Sequence, residues 1–395
     1  MGDTQRVRFV VVGPSTRFYS GLSAYTICLA NALSKYSDVS VVLLRKLLPE
    51  FLYPGRGNVG RDDCSLSFLS DIAICDGMDW YSPLSWIQAC RFVKQQKPEA
   101  VVMQWWTSSV AHMQLFLAIT NGLTIRAKLV LEIHETVDTL EESILLVRLY
   151  SRVMGRLLIS QADSLVVHSN AVKKRVAQIY HINDRRIAVI PHGLYDVYYK
   201  HTDKQAAKRE LGIKESFTIL CFGMIRKYKG VPYLVGAFNR LPQKVALSSR
   251  LVIAGEDWGD ETTLGGMIDS SPYKRQMTYS PGFVPDSMIP QYFSAADVVV
   301  LPYLRTAGSG VANIAMAYGR PIVTSDLDTM RECLADYEGA IFVPVADSQA
   351  IAERLMELHA QHKSDMLVLY GVPGSNWDEI AIAYERLVDR TGSSH

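Results

Sequence analysis

The chain has 395 residues, 48% of them hydrophobic and 21% charged, with 41 Lys and Arg against 40 Asp and Glu. That length exceeds one ordinary core and predicts two domains, at most three, while a net charge of +1 excludes the overall basic field that drives nonspecific nucleic-acid binding. Cys28, Cys64, Cys75, Cys90, Cys221 and Cys333 form no CxxC pair and several sit in apolar patterns, which points to free thiols in a reducing compartment.

The start, MGDTQRVRFVVVG, runs directly into a strand without an apolar leader. The longest apolar runs fall short of a bilayer span. The expectation is a soluble, cytoplasmic protein, with membrane contact at most peripheral, at the inner face. Val7 to Val12 is an apolar strand ending at Gly13-Pro14; a helix follows from about Ser23 to Ser34, with Leu22, Tyr25, Leu29 and Leu33 at helical spacing, then a strand from Val39 to Leu44. This is a βαβ unit, for which a parallel sheet is the default. Lys46 to Ser67, rich in Pro, Gly and charge, reads as a long surface loop.

The alternation continues with helix Trp86 to Lys94, strand Ala100 to Gln104, helix Val110 to Ile119 and strand Lys128 to Ile133. In Leu145 to Ile159, Arg148, Arg152 and Arg156 recur every four residues among leucines and valines. That pattern suits a helix packed on the sheet with a solvated basic stripe, or a helix lying on a membrane surface. Strand Ser164 to Val167, His168, helix Ala171 to Tyr180 and strand Ile187 to Ile190 complete the series at Pro191-His192-Gly193, and Tyr195 to Lys208 reads as a linker.

A second α/β series has strands Thr218 to Phe222, Ser249 to Ile253, Met277 to Tyr279, Val298 to Leu301, Pro321 to Thr324 and Ala340 to Val343. The fold class is α/β, with two Rossmann-like doubly wound domains facing a cleft at their strand C-terminal ends. The expected division is 1–197 as an acceptor-side domain, 198–375 as a donor domain, and 376–395 as a last helix crossing back to the first domain.

The segment FTILCFGMIRKYKGVPYLVGAF, 217–238, carries the most chemistry. An apolar strand stops at Gly223, Arg226, Lys227 and Lys229 follow, and Gly230 and Pro232 open a helix. Strand, basic loop and helix start form an arrangement suited to phosphate, because backbone N–H groups and the helix dipole point at the ligand. Arg226 offers a planar fork and Lys229 a point charge, so the two can hold a diphosphate. A solvated basic turn is the alternative.

Several strings in order resemble the GT-B glycosyltransferases, more narrowly the retaining family 4 enzymes: VVGPSTRFYSGLSAYT, QWWT at 104–107, EIHE at 132–135, VIPHG at 189–193, FGMIRKYKG at 222–230, VIAGE at 252–256, and ADVVVLPY followed by SGVANIAMAYGRPIVTSD. The resemblance covers nearly the whole chain. It implies that Arg226 and Lys229 hold the donor diphosphate and that His134 contacts the transferred sugar, through a hydrogen bond to a hydroxyl or through positive charge near the reacting centre. Gly21 would approach the donor phosphates or the acceptor. Gly308, Ser309, Gly310 and Val311, which precede a helix, would meet the second phosphate or the sugar, and Glu332 matches a further family glutamate. Two carboxylates common in the family are replaced by Thr306 and Ile314, which leaves Asn313 and Arg305 as candidates for the ribose.

Trp105 and Trp106 offer ring faces for an acceptor sugar or simple packing. Glu135 and Asp138 offer acceptor contacts or helix capping. Asp326-Leu327-Asp328 is a D-x-D string at a place that favours a solvated loop over a metal site. With no HExxH and no Cys/His cluster, no metal or other cofactor is expected. The partners expected are a nucleoside diphosphate sugar and a glycan, lipid-linked or small-molecule acceptor, with no nucleic acid. The implied reaction is transfer of the sugar to an acceptor hydroxyl with retained configuration. A nucleotide-sugar epimerase of the same fold and a noncatalytic nucleotide-sugar-binding subunit are the rivals.

Overall fold

Runs of Val, Ile and Leu too short for a buried helix and bounded by Gly or Pro build this fold's strands. A computed structural model describes residues 6–16, 21–46, 65–106, 110–135, 145–258, 261–364, 369–371 and 377–390. Most of the loop from Lys46 to Ser67, with Cys64, and Asp138 lie outside them.

The described chain divides into two compact units, Met1–Gly193 with Ser375–His395, and Leu194–Gly374. The first is built on β1 (Arg8–Pro14), β2 (Asp38–Lys46), β3 (Ala73–Asp79), β4 (Ala100–Trp105), β5 (Lys128–Ile133), β6 (Ser164–Val167) and β7 (Ile187–Val189), in the order β3-β2-β1-β4-β5-β6-β7. All neighbours are parallel, with Val10 opposite Ser40 on one side and Val101 on the other. β1 and β4 are buried along almost their whole length, as strands covered on both faces must be.

β3 has no counterpart in the sequence reading. It is the edge strand, pairs only with β2, and its sequence AICDGMD leaves most residues partly or fully exposed. An apolar run is therefore not required there, and none exists to be read. The C-terminal helix Trp377–Arg390 packs on helix Gly21–Ser34 of the same unit: Trp377 and Tyr384 are buried, and Lys35 Nζ meets Asp378 at 2.6 Å.

The second unit carries β8 (Phe217–Phe222), β9 (Ser249–Ala254), β10 (Met277–Ser280), β11 (Val298–Leu301), β12 (Ile322–Ser325) and β13 (Ala340–Val343), in the order β10-β9-β8-β11-β12-β13, again all parallel. Phe217, Ile219, Leu234, Phe238 and Leu355 lie in its core. At the N-terminal ends of β8 and β11, the fully buried Asp297 accepts from the Thr218 backbone at 2.8 Å, pairs with Lys204, and lies 3.6 Å from Lys208 and 3.1 Å from His362. Burial alone would raise its pKa, but the His362 hydrogen bond and the lysine charges bring it down to about 2.

Candidate functional site

In open parallel sheets, ligands bind beyond the strand C-termini where the strand order reverses. In the second unit this is the junction of β8 and β11. The loops leaving these strands are stitched together: Leu304 N donates to Tyr228 O at 2.8 Å. Gly230 takes φ 65°, and a Cβ there would stand 1.9 Å from Pro302 O, so only glycine allows the two loops to approach.

The cations of this junction lie against aromatic rings. The Arg226 guanidinium is 4.5 Å from the Trp258 ring centre, Lys229 Nζ 3.9 Å from that of Tyr303, and the Arg305 guanidinium 5.0 Å from that of Tyr228. A ring fixes a cation's position without cancelling its charge. The Tyr303 hydroxyl is within 3.1 Å of Ser309 Oγ, which accepts from Ala312 N and caps helix Gly310–Ala317. The lysine, the ring under it and the helix N-terminus thus form one connected piece.

Gly223 faces Val311, where a Cβ would come within 3.0 Å of Val311 Cγ2. Gly308, Ser309, Gly310 and Val311 therefore lie at the same junction as the basic loop. Asn313 is buried one turn into the helix, its N–H donating to Ser309 O. Glu332 lies on helix Asp328–Cys333, which is held to the β11 loop where Thr329 Oγ1 donates to Thr306 O at 3.0 Å. Thr306 Oγ1 itself accepts from Gly308 N, and Ile314 is buried, so neither position supplies a carboxylate. Asp326 of the D-x-D string is engaged by Arg331 on the surface.

In the first unit the strand ends gather a second group. β5, β6 and β7 are neighbours, and a histidine follows each: His134, His168 and His192. They surround Glu132, which is fully buried and accepts from the Tyr25 hydroxyl. His134 Nε2 lies 3.4 Å from Glu132 Oε2 without a hydrogen bond between them, while His134 Nδ1 is 3.1 Å from His168 Nε2. His168 Nδ1 faces the Ile190 carbonyl at 3.0 Å. A carbonyl only accepts, so His168 carries its proton on Nδ1 and takes one from His134 Nδ1–H through Nε2.

Burial and the charge of His134 depress His168 to about 4, and burial with the charge of His168 brings His192 to about 3. Burial alone would raise Glu132, but the neighbouring imidazoles of His134 and His168 and the hydrogen bond from Tyr25 hold it at about 2. The arrangement is a buried carboxylate facing an imidazole chain. Glu132, His134 and His168 offer ligand atoms within 4.8 Å of one another, so these three could also hold a metal ion.

Two family models match the chain: one described as Glycosyltransferase Family 4 over residues 19–195, and one as Glycosyl transferases group 1 over residues 216–361. The two matches together span most of the chain, which resembles family 4 and, as the solved structures below show, has the GT-B fold. Among curated relatives, the D-inositol 3-phosphate glycosyltransferase of Segniliparus rotundus is 25% identical over 268 residues, covering 65% of this chain and 59% of that protein. An uncharacterized glycosyltransferase of Methanocaldococcus jannaschii is 26% identical over 200 residues, 49% of this chain and 50% of that protein. The chain thus matches about half to three fifths of the length of these relatives.

Solved structures share the fold. The Anabaena protein HepE, in complex with UDP and glucose, superposes with a TM-score of 0.69 at 16% identity, covering 98% of this chain and all of that one. The catalytic domain of starch synthase IV from Arabidopsis thaliana, bound to ADP and acarbose, has a TM-score of 0.72 at 13% identity, covering 99% and 100%.

Of the two alternatives for the tryptophans, their surroundings are those of packing. Trp105 is not an open sugar platform: its ring packs against Tyr180 and the backbone at Gly155, leaving it 5% exposed. Trp106 is likewise buried. His134 has Nδ1 against His168 Nε2 at 3.1 Å, while its Nε2, 3.4 Å from Glu132 Oε2, is buried without a hydrogen-bond partner among the described residues. Gly21 is exposed as the first residue of its helix, and Glu135, half-buried, follows His134 directly. Tyr25, Glu132, His168 and His192 escaped the sequence reading. A carboxylate inside the apolar strand LVLEIH, and a histidine after each of three successive strands, were the signals available.

Proposed function

We infer that this chain transfers a sugar from a nucleoside diphosphate sugar to an acceptor hydroxyl with the anomeric configuration retained. The observation that carries the reading is the junction of β8 and β11, where Arg226, Lys229 and the capped start of helix Gly310–Ala317 converge. Fixed cations and backbone N–H groups aimed at one place stabilise charge that grows on a leaving diphosphate, the kind of preorganised electrostatics that contributes most to such catalysis. The second unit would hold the donor through this loop pair and the first unit the acceptor, near Glu135 and Gly21. His134, at the end of β5, would contact the transferred sugar, through a hydrogen bond from its ring or through positive charge near the reacting centre.

Retention is supported by the resemblance to family 4, and a uridine or adenosine diphosphate donor by the ligands described for HepE and starch synthase IV. A front-face route, in which leaving group and acceptor occupy one side of an oxocarbenium-like centre, needs no protein nucleophile. The absent carboxylates at Thr306 and Ile314 favour a second reading, a nucleotide-sugar-binding subunit without turnover. Thermal shift across nucleoside diphosphates and their sugars, followed by donor hydrolysis assays, tests both. Stabilisation by one base with slow release of diphosphate supports the transferase. Stabilisation without any release, with acceptor mixtures present, supports the binding subunit, and no stabilisation by any nucleotide refutes both.

A further inference from the structure

Three helices of the first unit lie side by side: Pro83–Gln96, Ala111–Thr120 and Leu145–Gln161. Trp86 packs on His112 with ring centres 5.3 Å apart, and His112 Nδ1 lies 3.2 Å from the Tyr150 hydroxyl, tying the first to the second and the second to the third. Their outward surface is unusual in two ways at once.

It is apolar. On the third helix Leu145, Leu149, Val153 and Leu157 recur every four residues, all exposed, with Leu146 beside them at 76% exposure. On the second, Phe116, Ile119 and, in the turn beyond it, Leu123 form an exposed row, Leu123 at 72%; the first adds Leu84 at 73% and Ile87. A helix that exposes leucine at every turn has an apolar stripe that nothing among the described residues covers.

It is also one-signed. The chain as a whole balances 41 basic against 40 acidic residues. Yet residues 83–97, 111–126 and 145–161 contain no Asp or Glu, while carrying Arg91, Lys94, Lys97 and Arg126 besides the arginines of the third helix. Arg152 and Arg156 are exposed on the row next to the leucines. A basic surface for a polyphosphate chain alone would not interleave leucines, and an interface with a second copy would set these cations against themselves. Leucines that enter acyl chains and guanidinium groups that meet anionic headgroups satisfy both features. Among the described residues no helix is long and apolar enough to cross a membrane, so contact would be along the surface.

We propose that this three-helix face docks on an anionic lipid surface, with Leu146, Leu149 and Val153 inserted and Arg152 and Arg156 on the headgroups. The surface stands independently of the transferase reading, because vesicle binding is read without turnover.

The test is co-sedimentation of the full chain with phosphatidylglycerol/phosphatidylcholine vesicles and with pure phosphatidylcholine vesicles. The expected result is binding to the anionic vesicles only, weakened by raised salt. R152Q/R156Q should weaken it about 25-fold, on roughly fivefold per surface cation. Leu146→Asp with Leu149→Asp should abolish it. All substituted residues are exposed, so melting temperatures should stay unchanged, and they are measured alongside. Equal binding to both vesicles, or less than a twofold change in R152Q/R156Q, overturns the proposal. So does a self-associating chain that the Leu→Asp variant turns into a monomer, since a second copy would then own the face.

Discussion

Replacing Lys229 by methionine removes the ammonium while keeping an unbranched apolar stem over Tyr303. In the structure Nζ stands 3.9 Å from the Tyr303 ring centre and 5.4 Å from that of Tyr228, so the side chain is already ordered before any ligand arrives. Diphosphate binding therefore gains the cation without the full entropy of fixing a lysine. Losing one hydrogen bond to a charged group costs about 1.5–3 kcal/mol, which is roughly 10- to 150-fold in affinity. The lost ring contact costs a further ~0.5–1 kcal/mol, but in stability rather than binding. Isothermal titration with UDP and ADP separates the two when read beside the melting temperature, and Lys229→Arg should recover part of the affinity. If the methionine variant, still folded, binds either nucleotide within twofold of the parent, Lys229 does not touch the diphosphate and the loop is a solvated basic turn.

Asp297→Ala should lower unfolding free energy by about 3–5 kcal/mol in urea titration, because it removes the carboxylate facing the buried Lys208 ammonium and leaves that charge only its backbone carbonyls; a loss below 1 kcal/mol would mean water already reaches the cluster. Gly230→Ala should lower the melting temperature and diphosphate affinity together, since its Cβ would enter the Pro302 carbonyl at positive φ; unchanged affinity would uncouple the two loops. The folded pKa values of His168 and His192, about 4 and 3, lie below an unfolded value of about 6.5, so the unfolded chain takes up protons first as pH falls. Their contribution is intact above about pH 6.5 and declines from there toward the folded values; a urea midpoint that stays level or rises from pH 7 to pH 5 would contradict this burial. Glu132, held at about 2, should act only at lower pH, with stability lost as pH falls from about 4.

Local periodicity and punctuation determined most of the fold. Twelve of the strands, the helices between them and the basic loop after β8 follow from apolar runs, glycines and charges that are neighbours in the chain. The basic loop that carries Arg226 and Lys229 is legible for the same reason, since strand, loop and helix start lie within about two dozen consecutive residues. Edge strand β3 was not legible, because a strand paired on one side only can do without an apolar run. Tertiary structure alone decided what each side chain meets. Tyr25 reaches Glu132 across 107 positions of sequence, and His134 Nδ1 meets His168 Nε2 from the next strand. In sequence, Trp105 is equally a sugar platform or a packing residue; Tyr180 and Gly155, far away in the chain, cover its ring. The arginine spacing of helix Leu145–Gln161 is plain in the sequence, but whether its leucines face the sheet or the solvent depends on how the helix is rolled against its neighbours. Periodicity names a stripe; only packing says what covers it.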